Sequence, residues 1–258
     1  PVAVVRSPDA GQGGAAWFVA QALAPEELLL VGQATVQPQV LAAAELGRQP
    51  LNGFDAVFLV DAVGLSADGW AALDRFVASG GGLVVVLGPA VADELSRGSS
   101  SYASPAARAL LGAELGPARS PSPPARFTVP SYEDPVLMPF DRGQVADLGR
   151  PAVSKYVALK PVGAKTVLAL TTGDPALIRS AARGGSVFTL ATSPDGSWSD
   201  LNLSARPDEF VVLMHSLLGA ARGQFASSAD FTLGQPISFA FPRQYAGRPV
   251  TLTGPGLT

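Results

Sequence analysis

Cysteine is absent from the 258 residues, and histidine occurs once. The first absence excludes disulfides, thiolate metal sites and every mechanism with a cysteine nucleophile. The second leaves any imidazole-dependent step to His215 alone. Charge is sparse too: Asp, Glu, Lys and Arg make up 15%, for a net charge of −3. No basic patch able to neutralise phosphates stands out, which argues against a nucleic-acid partner. Long apolar runs are missing, since no window offers the roughly 20 residues that span a bilayer. Phe76–Ala92 comes nearest and is broken by three consecutive glycines and a proline. What the chain does have is 47% apolar residues, enough for a folded core without a metal or disulfide staple. It opens at Pro1 with no Met and no signal-peptide pattern, as expected of a processed or excised form.

The first ninety residues alternate strand and helix. Val2–Arg6 is a β-branched run, Gly13–Ala24 a helix with Trp17, Val19, Ala20 and Leu23 as its apolar stripe, and Leu28–Val31 a second strand. A weaker helix is expected over Val40–Leu46, then a strand over Ala56–Val60 that ends at Asp61. Ser66 is placed to cap the helix Ala67–Ser79, whose Trp70, Leu73, Phe76 and Val77 share one face. Gly80, Gly81 and Gly82 stop it, and Leu83–Leu87 is a buried strand. This alternation predicts a doubly wound α/β domain with a mostly parallel sheet and helices on both faces. Arg97–Pro130 reads as a Gly, Ser and Pro-rich surface excursion with a short helix at Ala106–Leu111. Antiparallel strands are expected over Val153–Leu159, Thr166–Leu170, Ala176–Ala181 and Ser186–Thr192, the last two joined by a turn at Ala182–Gly185. A helix over Asp208–Leu218 closes the domain, residues 1–222. Residues 223–258, with alternating runs at Asp230–Phe241 and Arg248–Thr253, read as the start of a β-sandwich-like module cut short at Thr258.

Several motifs have a chemical and a plain reading. Gly11–Ala16 fits G-x-G-x-x-A before a helix, but begins too far from the strand end and lacks a ribose-binding acid downstream. Asp195–Ser199 spells D-x-S-x-S, a metal-adhesion pattern, yet too little chain follows to complete such a domain. A turn capped by Asp195 with Trp198 packed beneath is the better reading. His215 reads as an edge-of-core side chain satisfied by one hydrogen bond. Asp55, Asp174, Asp200, Asp208 and Glu209 show no paired spacing and read as solvated charges. Asp61 and Gly88 end parallel strands, where α/β folds place ligands, so with Ser193 and Asp195 they are candidates to line a pocket.

The stretch FDAVFLVDAVGLSADGWAALDRFVASGGGLVVVLGPAV (Phe54–Val91) resembles the class I glutamine amidotransferase-like fold. DPVLMPF (Asp134–Phe140), SVFTLATSPDGSWSDLNL (Ser186–Leu203) and EFVVLMHSLLG (Glu209–Gly219) narrow the likeness. Together they resemble the amidotransferase-like domain of bacterial membrane proteins of the aerotolerance (BatA) type, with double-transmembrane-region architecture. The resemblance covers most of Pro1–Arg222. It implies that an active member would carry Cys on a strained elbow beside backbone N–H donors, with a His after a late strand. The matching turn here is Leu87-Gly88-Pro89-Ala90, without Cys, Ser or Thr, and Pro89 also lacks an N–H. The base position reads Ala191-Thr192-Ser193-Pro194-Asp195, without His. The resemblance therefore implies a catalytically empty domain, for which no cofactor and no metal are expected, in a parent protein of the bacterial inner membrane with this domain on the extracytoplasmic (periplasmic) side. Its expected partners are envelope or other membrane proteins. A small-molecule or sugar-binding module at Asp61 and Gly88 is the alternative, and a hydrolase using Ser193 with Asp61 or Asp195 is a third reading.

Overall fold

A computed structural model describes residues 1–7, 14–143, 146–181, 184–202 and 208–223. The expectations at Gly11–Gly13, at the middle of the Ala182–Gly185 turn and over 224–258 lie outside those residues. In chain order the elements are β1 (Val2–Arg6), α1 (Ala15–Leu23), α2 (Glu26–Leu30), β2 (Pro38–Ala42), β3 (Ala56–Val60), α3 (Ala67–Ala78), β4 (Gly82–Val86), α4 (Pro89–Ser96) and α5 (Pro105–Leu111). There follow β5 (Ala113–Arg119), β6 (Ala125–Thr128), β7 (Ala152–Val153), β8 (Tyr156–Pro161), β9 (Ala164–Leu170), β10 (Pro175–Ala181), β11 (Ser186–Leu190) and α6 (Asp208–Ala221).

Nine strands form one sheet in the order β2-β1-β3-β4-β11-β10-β9-β6-β7. The first five are parallel, and every pairing from β11 outward is antiparallel. The sheet is thus mixed: the antiparallel strands extend the parallel ones instead of standing apart. β5 and β8 make a separate antiparallel ribbon, with a register shift beside Gly116 and Pro117. The central strands are apolar runs with β3 and β4 buried at every position, because both faces are covered. α1 and α6 pack together on one side, and α3 and α5 pack together on the other. Each buried Val or Leu there contributes about 1.5–3 kcal/mol, which fixes the fold independently of any site chemistry.

Local chemistry explains the element ends. Ser66 Oγ accepts the Gly69 N–H at 3.1 Å and starts α3. Of the three glycines after α3, Gly80 is set by its positive φ of 91°, while Gly81 and Gly82, like Gly185, are demanded by close approach. A Cβ at Gly81 would strike the Phe76 ring, one at Gly82 the Ala221 carbonyl, and one at Gly185 the Gly81 carbonyl.

The first crossover differs from the sequence expectation. Leu28–Val31 is no strand: Glu26–Leu30 is the short helix α2, with no buried residue and Leu30 80% exposed. Val40–Leu46 is no helix: the chain forms edge strand β2 and then a 3-10 turn at Ala43–Glu45. Trp17 leaves the α1 stripe and lies exposed, edge-on to Phe18 at 5.0 Å. β2 is a guarded edge. Gln37 turns its carbonyl to Val2, so Pro38, Val40 and Ala42 face outward by alternation. Pro38 has no N–H to offer, and the Ala42 N–H is taken by Glu45 Oε2 at 3.1 Å. Among the described residues no helix is long and apolar enough to cross a membrane.

Candidate functional site

The carboxyl ends of β3 and β4 meet at Asp61 and Gly88. β3 stops because Asp61 turns into the left-handed region, at φ 44°. Asp tolerates that conformation at some cost, its short polar side chain bonding locally. Here the turn swings the carboxylate across to the next strand's connection. Oδ2 accepts the Ala90 N–H and Oδ1 the Val91 N–H, both at 3.0 Å. These are unpaired donors of the first turn of α4, so Asp61 caps that helix from a neighbouring strand.

Gly88 makes room for this arrangement. It is extended (φ −158°, ψ −164°), a conformation open to any residue, but a Cβ there would stand 2.7 Å from the Asp61 Cγ. Pro89 occupies the first helical position, where a missing N–H costs nothing. The bend expected after Leu87 is therefore an extended residue passing into a helix. Among the described residues, Asp61 is the one non-glycine with positive φ.

Further bonds hold the Asp61 turn. Its N–H donates to the Val86 carbonyl at 2.8 Å, and its own carbonyl accepts from Ser7 Oγ at 2.7 Å. Ser7 Oγ accepts in turn from the Val63 N–H at 3.1 Å. Glu94 Oε1 accepts the Gly64 N–H at 3.3 Å. Tyr102 donates to the Ala62 carbonyl at 2.8 Å and lies edge-on to Trp70. Burial pushes the Asp61 carboxyl above the usual range, the Val91 and Ala90 amides pull it back in part, and Asp195 and Asp93 push it further up. Burial likewise raises the Tyr102 phenol, with Asp61 and Glu94 adding to it.

Asp195 stands close enough to repel Asp61, but its Oδ1 is engaged locally by the Ser197 N–H at 2.8 Å and the Ser197 hydroxyl at 2.6 Å. With Gly196 at φ 80° and Trp198 buried, D-x-S-x-S is a capped turn. Ser193 is fully buried, and among the described residues its hydroxyl has no hydrogen-bond partner and so no base bonded to it. Ser199 Oγ donates to the Ser193 carbonyl at 2.8 Å. His215 is exposed on α6, its Nε2 3.0 Å from the Ala22 carbonyl at the end of α1. Among the described residues no group of three or more His, Asp or Glu could hold a metal.

The scattered acids are more engaged than their spacing implied. Glu209 is buried, with Arg150 at 3.9 Å, and Asp200 accepts the Ala152 N–H at 2.6 Å. Asp55 pairs with Arg222 and the N-terminal amine. Asp174 accepts from Tyr156 and from Arg119 at 2.8 Å. Burial alone would raise its carboxyl, but Tyr156, Arg119 and Thr172 together hold it below the usual range. Tyr102 is buried against the strand-end turn and not in a mobile or docking loop. It lies in the stretch read as a surface excursion, and a lone aromatic among serines was its only signal.

No family model matches the sequence, and no curated protein matches it. Solved structures do resemble the fold. A cytoplasmic protein from Salmonella typhimurium is 15% identical, with a TM-score of 0.62 over 80% of this chain and 85% of that one. A ThuA-like protein from Bacteroides uniformis is 14% identical, with a TM-score of 0.56 over 84% and 90%. A β-galactosidase from Bacillus circulans is 14% identical with a TM-score of 0.58, matching 86% of this chain but 31% of its own. The likeness is one of fold. It shows an α/β fold with a large mixed sheet.

Proposed function

We propose that the chain is a non-catalytic, amidotransferase-like domain that serves protein interaction or scaffolding in a membrane-anchored bacterial envelope protein of the aerotolerance type. One observation carries the non-catalytic part of this reading. The α4 amides that would face a developing oxyanion are held by the protein's own Asp61 carboxylate. Gly88 and Pro89 stand where a nucleophile would be needed, and among the described residues Ser193 has no base bonded to it. The exposed leucines of α2 favour an interaction role, since soluble proteins rarely leave such residues together without use. The envelope setting rests on the sequence resemblance at Ser186–Leu203 and Glu209–Gly219.

The test is hydrolysis of glutamine and of a panel of amides and esters by the intact chain. Turnover above background that disappears on Asp61→Gly or Gly88→Ala substitution would overturn the proposal. Fractionation of the full-length parent tests the setting, with recovery in the membrane fraction expected. A second reading, a small-molecule or sugar site at Asp61, Gly88, Ser193 and Asp195, draws on the unpartnered Ser193 hydroxyl at this edge. A thermal-shift screen with sugars at millimolar concentration separates the two, since a bound ligand raises the melting temperature by mass action.

A further inference from the structure

The opposite rim of the parallel strands carries a groove of about 230 Å³ between the segment leading into β3 and the last two turns of α3. Leu51 and Phe76, 6% and 4% exposed, form its apolar floor, and Ala72 is small enough to leave its wall open. Gln49, Asn52 and Arg75 stand exposed around it.

Arg75 is the informative member. Its helical neighbours three and four residues away are Ala71, Ala72, Ala78 and Ser79, none of which carries charge. Asp74 adjoins it in sequence, but successive residues on a helix do not face each other. No carboxylate among the described residues pairs with it, and among the described lining residues it is the one cation. A guanidinium over an apolar floor, with two carboxamides beside it, suits an anion that carries a short hydrocarbon chain, of which a planar carboxylate fits the guanidinium's fork.

We propose that this groove binds a small aliphatic carboxylic acid, its carboxylate on Arg75 and its chain on Leu51 and Phe76. The volume equals that of roughly seven or eight waters, which suits a chain of a few carbons. The α3 helix, about 18 Å long, separates this rim from Asp61 and Gly88. The site therefore stands whether or not the elbow is inert.

Pentanoate titrated into the intact chain, followed by amide NMR shifts, tests the proposal. Saturable shifts confined to residues 49–52 and 72–79 are expected, with a dissociation constant on the order of 1 mM for so small a ligand. Arg75→Gln should weaken binding about tenfold or more, Arg75→Lys less, and pentanol should bind as poorly as the Gln variant does pentanoate. Ala72→Leu, which narrows the wall, should also abolish the shifts, with circular dichroism confirming that each variant is folded. No saturable shift up to about 50 mM, shifts centred elsewhere, or equal affinity in Arg75→Gln would each overturn it.

Discussion

Replacing Asp61 with glycine isolates what its carboxylate does, because glycine accepts φ 44° without strain. The substitution leaves the Ala90 and Val91 amides without an acceptor in a partly buried place. Each stranded donor costs about 1–2 kcal/mol, and relief of the left-handed strain returns about 1 kcal/mol. The expected net loss is about 2 kcal/mol, a fall in melting temperature of about 4–8 °C for a domain of this size. Formate matches the lost carboxylate in shape and charge, and the vacated space beside Gly88 is open to it. Adding it should restore part of the loss in Asp61→Gly and do nothing for the parent chain. With a dissociation constant of about 100 mM, formate at about 1 M would return roughly 1.4 kcal/mol. Chloride at equal ionic strength supplies the control. A glycine variant within about 0.5 kcal/mol of the parent would refute the argument that this carboxylate caps α4, since that is the scatter of neutral surface changes.

Three further outcomes are expected. Gly88→Ala should destabilise through the 2.7 Å approach to Asp61 Cγ; in urea titrations its cost should shrink in the Asp61→Gly background, and strict additivity would refute the contact. The folded-state carboxyl of Asp61 lies above its unfolded value, so protonation favours the fold: this increment, separate from the amide bonds, is full at low pH and lost as pH rises through the folded pKa. The parent should therefore gain on Asp61→Asn upon acidification from neutrality. Asp174 runs the other way: its carboxyl is held low in the fold, so the cost of Asp174→Asn should be full at neutral pH and fade as pH falls through the folded pKa. Urea midpoints across pH 3–7 read both slopes, and slopes of the same sign would sink the assignment.

Much of the central fold was legible because burial and pattern agreed. Ala56–Val60 and the Ser66-capped helix declare themselves by continuous apolar residues and by a cap followed by one apolar face. β2 did not, for a physical reason. As an edge strand it buries only Leu41 well, so PQVLA lacks the run that marks an interior strand. In Glu26–Leu30 the three leucines imitate a buried strand, yet none of them is buried. There local preference decides: Pro25 precedes two glutamates and leucines, all good helix formers. β5 was hidden by Gly116 and Pro117, which usually break strands and here sit at the register shift. At the site, sequence brought out Asp61 and Gly88 as strand-end residues. It had no way to show that one carboxylate crosses between strands to fill the other's connection, since that rests on a backbone angle and an absent methyl group.

The place of β11 has a consequence for how the chain is made. β4 pairs on its far side with β11, which is synthesised about a hundred residues later. At elongation rates of about 5–20 residues per second that is on the order of ten seconds during which a wholly apolar strand has one flank unsatisfied. Chaperone occupancy on nascent chains should therefore peak between the emergence of Val86 and that of Leu190, and fall once the newcomer slots in.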